Sequence, residues 1–62
     1  MCLSTVYRNE KSQDNLIMSN VQKIDLQDGQ LLLTDLMDRE MVVVGSLVSV
    51  DLVGGVAIIK EN

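Results

Sequence analysis

Two glycine-bearing turn signals, Asp28-Gly29 and Gly54-Gly55, divide the apolar part of this chain, which reads as a succession of short strands. Each lies between two apolar runs, and a short loop of that kind is the strongest local sign of a β-hairpin. No stretch between runs is long enough for the helical crossover that a parallel sheet requires.

The runs can be read in order. Leu3 to Arg8 carries Thr5, Val6 and Tyr7 and ends in the polar loop Asn9 to Asp14. Leu16 to Met18 is brief and stops at Ser19-Asn20. Val21 to Leu26 alternates apolar and polar residues with one slip at Lys23-Ile24, the mark of a bulge. Leu31 to Leu33 resumes beyond Gly29. Met41 to Val44 is interrupted by Gly45-Ser46. In Leu47 to Leu52, Val48, Val50 and Leu52 alternate with Ser49 and Asp51, which implies one buried face. Val56 to Ile59 follows the second glycine turn.

Thr34 to Met41 admits two readings. Leu33, Leu36, Met37 and Met41 sit at helical spacing, with Thr34 as a cap. The alternative is a strand ending at Leu36, a turn at Asp38-Arg39-Glu40 and a new strand from Met41. The β-branched run Val42-Val43-Val44 favours the second.

These signals predict an all-β fold: a small antiparallel barrel or sandwich of about six to seven short strands, Sm- or SH3-like. A single domain over residues 1–62 is expected, because a chain this short has no room for two cores. Several runs (Leu31-Leu32-Leu33, Met41 to Val44, Val56 to Ile59) are apolar on both faces. One barrel has one interior, so the second face needs cover, and a homodimer is the simplest source. Size points the same way. A domain of about 60 residues buries only about 60% of its unfolded surface and usually leans on disulfides, a metal or self-association. With one cysteine an internal disulfide is impossible.

Composition narrows the chemistry. Histidine is absent, which removes Ser-His-Asp and Cys-His nucleophiles, histidine metal sites and imidazole acid–base steps. The net charge is −4, the five basic residues are scattered, and Tyr7 is the single aromatic. Phosphate backbones and anionic membranes call for clustered cations, and base stacking calls for aromatic platforms. There is no phosphate loop or dinucleotide fingerprint, since Gly54-Gly55 lacks the residues that follow in either. No signal-like N-terminus or membrane-length apolar run is visible, so a cytoplasmic location with a free thiol is expected. Asp35, Asp38 and Glu40 read as a solvated turn. Met18, Met37 and Met41 read as gap-filling core rather than thioether ligands, because Leu, Ile and Val surround them.

Cys2 remains. A lone cysteine is most simply a small buried hydrophobe or an inert thiol. Its position adds a second possibility, because the thiol lies within one residue of the chain's amine. With Met1 removed, amine and thiolate of one residue close a five-membered chelate ring. With Met1 kept, its amine, the Cys2 amide and the thiolate form fused rings. Such N,N,S donors suit square-planar Ni(II) or Cu(II) better than tetrahedral zinc, and a twofold pair of Cys2 residues would complete the plane.

The opening Met1-Cys2-Leu3-Ser4, the Asp28-Gly29 hairpin, and the stretch from Leu33-Thr34-Asp35-Leu36 through Gly45 to Val50-Asp51-Leu52 resemble the CooT family. These are small nickel-binding proteins associated with maturation of nickel-dependent carbon monoxide dehydrogenase. The resemblance implies a small all-β homodimer, not an enzyme, with Cys2 as the nickel ligand. It also implies a metallochaperone or nickel store that hands Ni(II) to the maturation machinery. The sequence departs from the family's usual turns at Met37-Asp38-Arg39-Glu40 and at Gly54-Gly55. A small RNA-binding or protein-interaction module is the alternative, and the acidic, aromatic-poor composition disfavours RNA.

Overall fold

A computed structural model gives the arrangement of residues 3–62. Five strands follow one another: β1 (Ser4–Arg8), β2 (Leu16–Gln27), β3 (Gln30–Asp35), β4 (Glu40–Asp51) and β5 (Val56–Glu61), with one 3-10 turn at Gln13–Asn15. Each strand pairs with its neighbour in sequence, and β1 also pairs with β5, so the sheet closes on itself as a barrel. The all-β expectation holds, while the strand count is five rather than six or seven.

The difference lies in two breaks that bend the chain instead of reversing it. At Ser19-Asn20 the backbone enters the left-handed region at Asn20 (φ 55°), and β2 continues through it. The first half of β2 pairs with β1 and the second half with β3. At Gly45-Ser46 β4 also runs on, here without a left-handed residue, and it pairs with β3 as far as Val44 and with β5 from Gly45 onward. Long bent strands shared between two neighbours let a short chain close a ring, and bulges supply the bends. One bulge lies between Val21 and Lys23, adjoining the slip that the sequence places at Lys23-Ile24. Another lies between Leu47 and Ser49.

The closure also corrects the all-antiparallel expectation. β1 and β5 run parallel, with Thr5, Val6, Tyr7 and Arg8 opposite Val56, Ala57, Ile58 and Ile59. A parallel neighbour ordinarily needs a crossover helix. Here the rest of the barrel is the crossover. The Asn9 amide, donating to the Ile59 carbonyl at 2.8 Å, ends the pairing where Asn9 turns left-handed.

Both glycine turns are hairpins. Gly29 (φ 78°) sits between β2 and β3, and Gly55 (φ 70°) sits before β5. Thr34 to Met41 is strand, turn and strand, with β3 ending at Asp35 and β4 starting at Glu40. The interior is aliphatic: Val6, Val21, Leu31, Leu33, Val43, Ala57 and Ile59 are buried, with Ile17, Met18, Ile24 and Leu47 packed against them.

Two packing expectations fail. Val48, Val50 and Leu52 form no buried face; all three are exposed, Leu52 at 76%. The bulge after Leu47 throws Val48 out of register, and Val50 and Leu52 lie where the barrel opens. Met37 and Met41 are also exposed instead of filling the core, because the β3–β4 turn carries them to the rim; Met18 is half-buried as expected. The doubly apolar runs do leave a second face uncovered in the single chain, with Val42 and Val44 exposed on β4.

Candidate metal centre

Cys2, the expected ligand, lies outside the described residues; the structure gives the backbone just after it. Leu3 leads into β1, whose Thr5 amide donates to the Gly55 carbonyl at 2.8 Å. A Cβ on Gly55 would come within 3.1 Å of the Leu3 carbonyl oxygen, so the turn before β5 passes directly under the approach to β1. That turn is itself held. The Asp51 carboxylate accepts from the Val53 and Gly54 amides at 3.0 and 2.8 Å, and the Asp51 carbonyl accepts from the Gly55 amide at 2.8 Å. The second glycine signal of the sequence thus forms the seat of the N-terminal approach.

Beside this seat the barrel mouth is open. A groove of about 350 Å³ runs from Ser4 along β2 (Val21 to Ile24 and Leu26) to Leu47, Val50 and Leu52 of β4. Its walls are mainly aliphatic, with Lys23 on the rim. Chemically it accepts apolar surface, and it offers no carboxylate or imidazole to an ion.

The other candidate donors fall elsewhere. Among the described residues no three His, Cys, Asp or Glu side chains come together as a cation site. Met18 and Met41 share a second recess with Asp35 and Arg39, while Met37 stands apart on the turn. The thioethers there face an occupied carboxylate. Asp35 accepts from the Met37 and Arg39 amides at 2.9 Å each and from the Arg39 Nε at 2.7 Å.

Asp35 also corrects the solvated-turn reading. Asp38 and Glu40 are exposed, but Asp35 is only 3% exposed. Burial pushes its carboxyl upward, and the hydrogen bonds from the Arg39 amide, the Arg39 guanidinium and the Met37 amide outweigh it. The net result holds Asp35 below the usual carboxylate range. Its role is to clamp the β3–β4 turn, with Asp38 left-handed (φ 62°) to aim the amides inward.

The sequence model of the family described as CO dehydrogenase accessory protein CooT matches residues 1–60. This chain belongs to the CooT family. The crystal structure of a protein designated CooT from Carboxydothermus hydrogenoformans superposes on it with a TM-score of 0.84. The two are 16% identical, and the match covers 98% of each chain, so the likeness is one of fold. No curated protein matches it. The family match spans both Cys2 and Gly55.

The Asp35 clamp and the open groove escaped the sequence reading of this CooT chain. For Asp35 a signal existed: an Asp two residues before Met37 and four before Arg39 is placed to accept from turn amides. For the groove there was none, because its walls come from β2 and β4, which are not paired with each other.

Proposed function

We propose that this CooT chain is a nickel-binding accessory protein, a metallochaperone or nickel store, serving maturation of carbon monoxide dehydrogenase rather than catalysing a reaction. Ni(II) is its cargo. Cys2 binds the ion through its thiolate, with an adjacent backbone amine or amide nitrogen, and Cys2 of a second copy faces it across a homodimer interface. The observation that carries this reading is the family match over residues 1–60, which spans Cys2.

The donor chemistry fits. A thiolate and deprotonated backbone nitrogens are strong-field donors that suit a square-planar d8 ion. Metal coordination also lowers the thiol's pKa, so the thiolate forms at neutral pH. Among the described residues no competing His, Cys, Asp or Glu cluster draws the ion elsewhere. Handover follows from a terminal site: a receiving protein replaces the ligands stepwise, and the barrel core need not open. Ni(II) passes on without redox change.

Native mass spectrometry with and without Ni(II), on wild type and Cys2→Ser, tests this. One Ni(II) per pair of chains is expected, absent from Cys2→Ser while the pair persists. Equal nickel uptake by both proteins overturns the site. The absorption spectrum of the loaded protein gives the geometry: d–d bands of diamagnetic square-planar nickel are expected, and a tetrahedral spectrum refutes the donor set.

A further inference from the structure

We propose that the edge of β2 left bare between Leu16 and Ser19 is a docking site for a partner protein. The partner adds a short extended segment there and seats a lysine or arginine in the recess beside it. This goes beyond the nickel reading and stands whether or not Cys2 holds the ion.

The edge is bare because the two neighbours of β2 take different halves of it. Leu16, Met18 and Val21 pair with β1, whereas Val21 to Gln27 pair with β3. On the β3 side the last bond is from the Leu36 amide to the Asn20 carbonyl, at 2.9 Å. Before it, Leu16 to Ser19 have no strand alongside them on that side. Asn20, left-handed at φ 55°, swings this half of β2 out of line with β3. The β3–β4 turn is held over the other half, where Gln22 Nε2 donates to Asp38 at 3.0 Å. A bare strand edge is a template for another strand, and chains that avoid such pairing place charges or proline on it. Leu16 to Gln22 carries neither, and Leu16 is 39% exposed.

The recess beside this edge has a volume of about 390 Å³ and is lined by Met18, Ser19, Asp35, Arg39, Glu40 and Met41. Its apolar wall is two thioether side chains, which adapt to the shape of a guest. Its unspent charge is acidic. Arg39 is committed to Asp35 through Nε at 2.7 Å, and Glu40 has no ion-pair partner among the described residues. Lysine and arginine suit both surfaces, with an aliphatic stem for the methionines and a cationic head for Glu40. The added strand supplies main-chain hydrogen bonds and the recess selects the side chain, as strand addition to a sheet edge requires. A second copy of this chain is the poorer guest. Twofold pairing of the edge on itself brings two acidic rims together, and Leu16 to Gln22 has no basic side chain to fill either recess.

Two-dimensional amide NMR of the isotope-labelled full chain tests this with three synthetic pentapeptides. One alternates valine and lysine, the second has glutamate in place of lysine, and the third is the lysine peptide N-methylated at alternate amides. The lysine peptide is expected to bind with a dissociation constant below about 1 mM and to shift the amides of Leu16 to Ser19, Glu40 and Met41. The glutamate and N-methylated peptides are expected to bind at least about tenfold more weakly. Glu40→Gln should weaken the lysine peptide about three- to fivefold, as an exposed ion pair allows. Ser19→Lys places a charge on the edge and should weaken it at least about tenfold. Both residues are exposed, so the variants fold, and the dispersion of the same spectra verifies it. No shifts at about 2 mM lysine peptide, equal binding of the N-methylated peptide, or shifts confined to the groove between Val21 and Leu52 each overturn the site. Sedimentation velocity decides between guests: a change of association state in Ser19→Lys makes a second copy the occupant and overturns the proposal.

Discussion

Gly45→Ala adds one methyl at the most confined point of the barrel. An ideal Cβ there would lie 2.1 Å from the Lys60 carbonyl oxygen and 3.0 Å from the Glu61 Cα. The obstacle is backbone, so no rotamer relieves it. One response spreads β4 from β5 by about an ångström, the kind of overpacking that costs about 1–3 kcal/mol. The other peels the end of β5 away. That surrenders the Gly45–Glu61 pairing and the bond from the Asn62 amide to the Val44 carbonyl at 3.0 Å. At about 0.5–1.5 kcal/mol per bond, the loss is again about 1–3 kcal/mol. Freeing Glu61 from Arg8 adds little, because both side chains are largely exposed.

Either route removes a large share of the total, which at about 0.05–0.15 kcal/mol per residue comes to about 3–9 kcal/mol. For a domain of this size the melting temperature should fall by at least about 4 °C. Thermal melts followed by far-UV circular dichroism are the assay, run at one protein concentration because the proposed pairing would make the midpoint concentration-dependent. Gly29→Ala is the companion measurement. Gly29 has φ 78° and no atom within 4 Å of an added Cβ, so its cost is backbone strain of about 1 kcal/mol. Gly29→Asn should recover most of that, because Asn tolerates the left-handed region, whereas no side chain should rescue position 45. A Gly45→Ala midpoint within about 2 °C of wild type refutes the confinement argument.

Leu33→Ala removes a fully buried side chain from the centre of the core and should cost about 2–5 kcal/mol in urea unfolding. A loss below about 1 kcal/mol would mean that the core is not where the structure places it. Because Asp35 is held below its ordinary value of 3.8, the folded chain binds fewer protons there than the unfolded chain does. The stabilisation is therefore complete above the ordinary carboxylate range and is lost as pH falls through it and below. Asp35→Asn should lower the melting temperature at neutral pH and flatten its fall under acid; parallel slopes for the two proteins would exclude Asp35 as the source.

The hairpins were legible because Gly29 and Gly55 need the left-handed backbone that the turns use, which is a local requirement. The strand-turn-strand at Thr34 to Met41 was legible for a similar reason, since Val42-Val43-Val44 prefers extended backbone. What Ser19-Asn20 and Gly45-Ser46 do was not. A polar or glycine break looks the same whether the chain reverses or bends, and the partners across the break decide, β1 and β3 for β2, β3 and β5 for β4. Alternation at Val48, Val50 and Leu52 says which residues share a face, but barrel curvature and a bulge determine whether that face is covered. Asp35 was misread because two of its three donors are main-chain amides, which residue types do not name, although its spacing to Met37 and Arg39 was a usable signal. The metal expectation rests on Cys2, which lies outside the described residues.

The parallel pairing of β1 with β5 has a consequence for how the protein is made. β1 leaves the ribosome first among the strands, but one of its two neighbours is the last to be synthesised. The ring therefore cannot close during translation, and the seat under Leu3 exists only once Gly55 and Val56 have emerged. The backbone at Leu3 takes its place against residues that are made last.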